Sequence, residues 1–163
     1  MPAPIPAPRA SGLTTTTDVP LYWAAWGPAG GPRLLVLHGG PGAHHDYLLP
    51  QMLRLAERYD CLFYDQRGGG RSKHDDLATI TWHTQVVDLA RVARELVAGP
   101  LHVVGYSWGA LLALLHALDA TGVALPAVGA PLGDRPGHRA GGPAPASLAL
   151  IDPAPVSRAF RSE

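Results

Sequence analysis

The chain has 163 residues, with 13 Lys and Arg against 13 Asp and Glu and a single cysteine, Cys61. That length fits one domain and crowds out two, and it is enough for one hydrophobic core. The charge balance excludes a general electrostatic pull toward nucleic acid or an anionic membrane, and a lone cysteine excludes an intramolecular disulfide. Neither a signal-peptide pattern nor an apolar run of about 18 residues occurs, so the expectation is a cytoplasmic chain that does not enter a membrane. Nineteen glycines and 17 prolines are well above average usage and point to loops and turns, whose placement then matters.

Residues 1–12 form a Pro/Ala-rich arm expected to be disordered. Thr14–Thr17 and Leu21–Trp26 predict a hairpin across Asp18-Val19-Pro20. Leu34–Leu37 is wholly apolar and predicts a strand buried on both faces. Leu49, Met52, Leu53 and Ala56 recur at helical spacing and predict a helix from about Tyr47 to Tyr59. Cys61–Tyr64 predicts a second buried strand. His83–Ala98 predicts a helix with Arg91 and Glu95 paired four residues apart on its outer side. Leu101–Val104 predicts a third strand, and Trp108–Leu118 a helix apolar all round and hence buried. Asp119–Ala146 loses all periodicity and is rich in Gly, Pro and Ala, which predicts an irregular segment. Ser147–Asp152 resumes as a fourth strand, and the residues after it are too few for another strand–helix unit. The alternation argues an α/β fold, a mostly parallel sheet with flanking helices, as one partial domain over residues 13–163 that breaks off after the strand at about 148–152.

The chemistry gathers at the strand ends. Gly105-Tyr106-Ser107-Trp108-Gly109 fits G-x-S-x-G between an apolar strand and a buried helix, the setting in which the motif means a nucleophile elbow. Its glycines let neighbouring backbone pass close by, and the helix N-terminus places partial positive charge near a developing oxyanion. His38-Gly39-Gly40-Pro41-Gly42 follows the earlier strand and leaves main-chain N–H groups uncovered, as an oxyanion hole needs. Gly40 would give one donor and Trp108 the other.

HGGPG, then Asp65-Gln66-Arg67-Gly68-Gly69-Gly70-Arg71-Ser72, then GxSWG, in this order and spacing, resembles the proline iminopeptidases of the α/β-hydrolase fold. The likeness runs from about Leu21 to Leu118 and resumes at 148–157. It implies Ser107 as nucleophile, with the N–H groups of Gly40 and Trp108 as oxyanion hole, and Asp65 and Arg67 as loop-shaping rather than catalytic groups. The implied activity is release of an N-terminal residue, typically proline, through an acyl-enzyme, with no cofactor.

A serine needs a base, and the base an orienting acid. After Ser107 the only histidines are His116, on the helix behind the elbow, and His138, in the irregular segment. Asp152 ends a strand but has no histidine after it, so Asp152 and His138 read as strand-end and surface residues. The family's own acid, base and helical cap follow later strands than this chain reaches. His44-His45-Asp46 reads as an exposed loop rather than a metal site, because it has no further ligand motif. His38 and His102 read as hydrogen-bonded structural groups, and Cys61 as a core residue.

The leading expectation is therefore a serine hydrolase acting on a small peptide, amide or ester. The alternatives are a catalytically inactive remnant lacking the triad acid and base, and an esterase of the same fold. An uncovered sheet edge would favour self-association. The abrupt composition change at 119–146 reads as a disrupted stretch between two family-like ones.

Overall fold

Alternation along the apolar strands sends Leu35, Leu62, Tyr64 and Val103 to one side of a single sheet and Val36, Cys61, Phe63 and Val104 to the other. In the computed structural model, which describes residues 4–122 and 140–153, each side is covered by helix. The strands are β1 (Ala10–Leu13), β2 (Tyr22–Trp26), β3 (Arg33–Leu37), β4 (Asp60–Tyr64), β5 (Leu101–Tyr106) and β6 (Pro145–Ile151), and the helices α1 (Leu49–Met52), α2 (Trp82–Leu96) and α3 (Trp108–Thr121). The sheet order is β1-β2-β4-β3-β5-β6, with β4, β3, β5 and β6 parallel and β1 and β2 antiparallel at one end.

One core layer joins the sheet to α2 and α3 through Val86, Leu89, Val92, Leu112 and Ala113. The other joins it to α1 through Leu48, Leu49 and Met52. Thr81 and Thr84 close a reciprocal cap at the start of α2, each side chain bonding the other residue's main-chain N–H. Among the described residues no helix is long and apolar enough to cross a membrane.

Several expectations are corrected. The arm does not stay irregular through residue 12: β1 begins at Ala10, Arg9 N–H donates to the Ala25 carbonyl, and the Trp26 indole N–H donates to the Pro6 carbonyl. The hairpin therefore pairs Ala10–Leu13 with Tyr22–Ala25, and Thr14–Leu21 forms its connection. The single helix expected over 47–59 is three short pieces: a 3₁₀ turn at His45–Leu48, α1, and a 3₁₀ turn at Leu55–Glu57. Pro50 in the first turn of α1 blocks helical hydrogen bonding with residues upstream. Arg91 and Glu95 do not pair with each other. Arg91 reaches Asp18, and Glu95 accepts from Thr15 and Thr16, so both hold the β1–β2 connection. Helix α3 is buried on one side only, since Leu114 and Leu118 are exposed. It continues to Thr121, and β6 begins at Pro145, so the irregular segment is shorter at both ends than expected. Most of that segment, residues 123–139, lies outside the described residues, as do 1–3 and 154–163.

Candidate active site

Ser107 sits between β5 and α3 with φ 52° and ψ −117°, a region L-residues rarely occupy. Close packing imposes this turn. A Cβ on Gly105 would fall 2.5 Å from the Gly109 carbonyl oxygen and 2.6 Å from Ala110 Cα, and one on Gly109 would fall 2.6 Å from the His38 carbonyl oxygen. Both glycines of the G-x-S-x-G motif are thus required sterically. On the other side, Ser107 N–H donates to the Ile151 carbonyl of β6 at 2.9 Å. The Ser107 carbonyl accepts from Ala110 N–H at 3.0 Å and so begins α3. Among the described residues the Ser107 hydroxyl has no hydrogen-bond partner, and its side chain is half-buried. A hydroxyl at the N-terminus of a helix has the chemistry of a nucleophile once a base takes its proton.

The HGGPG loop lies directly against this turn: a Cβ on Gly39 would be 3.0 Å from Ser107 Cβ. Gly40 has φ 63° and is exposed, while Gly39 is buried. His38 clamps the loop to the chain after β4. Its Nε2 accepts from Gln66 N–H at 3.0 Å, its Nδ1 donates to the Gly39 carbonyl at 2.9 Å, and the Gln66 amide donates to the His38 carbonyl at 2.8 Å. Burial lowers the His38 pKa below its ordinary value. Trp108 is pinned through its indole N–H to Gln85 Oε1 of α2, at 2.8 Å.

Asp65 and Arg67 spend their hydrogen bonds on structural partners rather than on Ser107. Asp65 is fully buried and accepts from His45 N–H at 2.9 Å, His45 Nδ1 at 2.7 Å and Arg71 N–H at 2.9 Å. Burial pushes its carboxyl up, but those donors outweigh burial and hold it at about 2. His45 is therefore not in an exposed loop, as its sequence neighbours suggest. It is 1% exposed and stacks on Tyr22, with ring centroids 5.9 Å apart. No local signal marks this, because its partner lies 20 residues away. Among the described residues no group of three His, Cys, Asp or Glu side chains is placed to hold a metal ion.

Among the described residues, neither His116 nor Asp152 makes a hydrogen bond to the Ser107 hydroxyl. His116 is buried behind α3, with Nε2 on the Pro143 carbonyl at 3.0 Å and no partner for Nδ1, and burial lowers its pKa. Asp152 directly follows Ile151, whose carbonyl accepts from Ser107 N–H, so it stands beside the turn; it is exposed, with φ 46°. His138 lies outside the described residues. His102 bonds the Ser147 hydroxyl at 2.8 Å, and Cys61 is buried, its thiol pushed up to about 11 by burial. The sequence also missed Tyr47, whose hydroxyl accepts from Gly39 N–H at 2.6 Å. Its place eight residues after Gly39 carries no motif signal.

Comparison with known proteins agrees with this fold. The alpha/beta hydrolase fold family matches residues 32–125. A proline iminopeptidase of Lactobacillus delbrueckii subsp. lactis is 41% identical over 91 residues, covering 53% of this chain and 31% of that protein. The crystal structure of proline iminopeptidase from Mycobacterium smegmatis superposes with a TM-score of 0.60 at 30% identity, covering 67% of this chain and 39% of that one. A bacterial membrane phospholipase A superposes with a TM-score of 0.69 at 26% identity, covering 91% of this chain and 41% of that one. The chain thus spans about a third of the length of the curated relatives it matches.

Proposed function

The chain belongs to the alpha/beta hydrolase fold family, and from that premise we propose that it carries the nucleophile half of a serine hydrolase of the proline iminopeptidase type. Ser107 attacks the scissile carbonyl, and the main-chain N–H groups of Gly40 and Trp108 receive the oxyanion. The carbonyl carbon bonds to Ser107 Oγ, the bond to the amine breaks, and the serine proton passes through a base to the departing amine. Water then cleaves the acyl-enzyme. The base is taken from outside the described residues, since His116 is held on the Pro143 carbonyl, and so is the acid that orients it.

The observation that carries this reading is the positive φ of Ser107 between two glycines whose Cβ atoms have no room. An idle strand-to-helix turn has no reason to keep an L-residue in that conformation. Preference for an N-terminal proline rests on the proline iminopeptidase relatives; a phospholipase A among the solved structures keeps ester chemistry as the second reading.

The test is reaction of the 163-residue chain with a fluorophosphonate, read by mass spectrometry. Labelling at Ser107 that disappears in Ser107→Ala supports an activated serine. A folded chain that stays unlabelled supports the inactive remnant instead. Turnover of a prolyl arylamide against a short acyl ester then separates peptidase from esterase.

A further inference from the structure

We propose that Tyr47 is a positioning residue of this site, fixing the direction of the Gly40 N–H through a hydrogen bond to the preceding peptide. The inference rests on the serine hydrolase reading. Two peptide planes meet at Gly39, and the orientation of both sets where the Gly40 N–H points. The plane that carries the Gly39 carbonyl and the Gly40 N–H is held by His38 Nδ1, which donates to that carbonyl at 2.9 Å. The plane that carries the His38 carbonyl and the Gly39 N–H is held at both ends. Gln66 donates to the carbonyl at 2.8 Å, and Gly39 N–H donates to the Tyr47 hydroxyl at 2.6 Å.

Gly39 is itself enclosed by the groups that matter. A Cβ there would fall 2.9 Å from Tyr47 Oη, 3.0 Å from Ser107 Cβ and 3.2 Å from Tyr106 Cδ1. Tyr47 and Tyr106, the residue before the nucleophile, pack edge to face with centroids 6.2 Å apart. The Tyr47 hydroxyl therefore lies in the same small space as the serine it serves. Burial raises its pKa, so it remains a neutral hydroxyl at physiological pH, accepting from Gly39 and keeping its own proton. Loss of this bond leaves that plane held at one end only, by Gln66, and loosens the aim of the Gly40 N–H, a smaller fault than deleting an oxyanion donor, which costs about 10²–10³ in rate.

Tyr47→Phe tests this, because it removes the hydroxyl and keeps the ring against Tyr106, and the partly exposed position makes misfolding no concern. Two quantities are read in wild type and variant: amide exchange at Gly39 by NMR, and fluorophosphonate labelling of Ser107 resolved into inhibitor binding and covalent step. The expected result is about tenfold faster Gly39 exchange and an about tenfold slower covalent step, with inhibitor binding within about twofold. A merely structural role would not single out the covalent step. Unchanged exchange, or an unchanged covalent step beside a labelled wild type, overturns the role of Tyr47 alone. A wild type that does not label overturns the hydrolase reading and this inference together.

Discussion

Arg67 and Asp88 face each other in a two-pronged ion pair, with Nε to Oδ2 and Nη2 to Oδ1 both 2.8 Å and both side chains nearly removed from water. The pair ties the glycine-rich turn after β4 to the middle of α2. Removing one partner leaves a charge buried alone, which costs far more than the pair contributes. Asp88→Ala is expected to lose about 3–5 kcal/mol in urea unfolding. The double change Arg67→Met with Asp88→Leu is expected to recover most of it.

Gly109 should be the least replaceable residue of the elbow. Its φ is ordinary for a helix, so strain is not the reason; an added methyl would press on the carbonyls of Leu37 and His38, which are backbone and cannot step aside. Gly109→Ala is expected to cost about 3 kcal/mol or more by chemical denaturation, at the upper end of overpacking. Gly39→Ala, whose methyl meets Tyr47 and Ser107, should cost less stability but reduce labelling of Ser107 at least tenfold.

Glu95 receives four donors from the β1–β2 connection: the main-chain N–H groups of Thr15 and Thr16 at 2.8 and 2.9 Å, and their hydroxyls at 3.0 and 2.6 Å. The site is exposed, so water competes for every donor. Glu95→Ala is expected to lower stability by about 1–2 kcal/mol and to speed amide exchange at Thr15 and Thr16. Glu95→Gln should lie between.

Stability should fall in two stages as the solution is acidified. Burial depresses His38 and His116 below the ordinary 6.5, so the unfolded chain takes up their protons first. Their contribution is intact above that value and declines as pH falls through the lower, folded pKa. Asp65 acts further down: at about 2 against an ordinary 3.8, its contribution is present above 3.8 and lost toward 2. Urea midpoints measured between pH 7 and 2 should show both limbs, and Asp65→Asn should shrink the lower one, leaving the share of Asp46 and Glu95, whose carboxyls are also held below their ordinary values by their donors.

Where the sequence is locally consistent, it reads directly. The runs around β3, β4 and β5 are apolar on both sides because helices cover both faces, and their bounds shift by only a residue or two. The elbow is legible for the same reason: a strand, a glycine-flanked serine and a helix are all local. Strand β1 was not, because Ala-Ser-Gly-Leu has little β propensity of its own and is strand only by pairing with β2. His45, Tyr47 and Glu95 escaped for a shared reason, since each bonds a group that folding brings from elsewhere in the chain.

The bond from Ser107 N–H to the Ile151 carbonyl gives the reactive turn an unusual dependence. Its other supports are interior, but this one belongs to β6, one of the two edge strands among the described residues, with Leu150 and Ile151 exposed. Outer strands fray first, and each fraying event would release the serine toward an unstrained backbone. Whatever grips β6 would then govern how long Ser107 keeps its strained backbone.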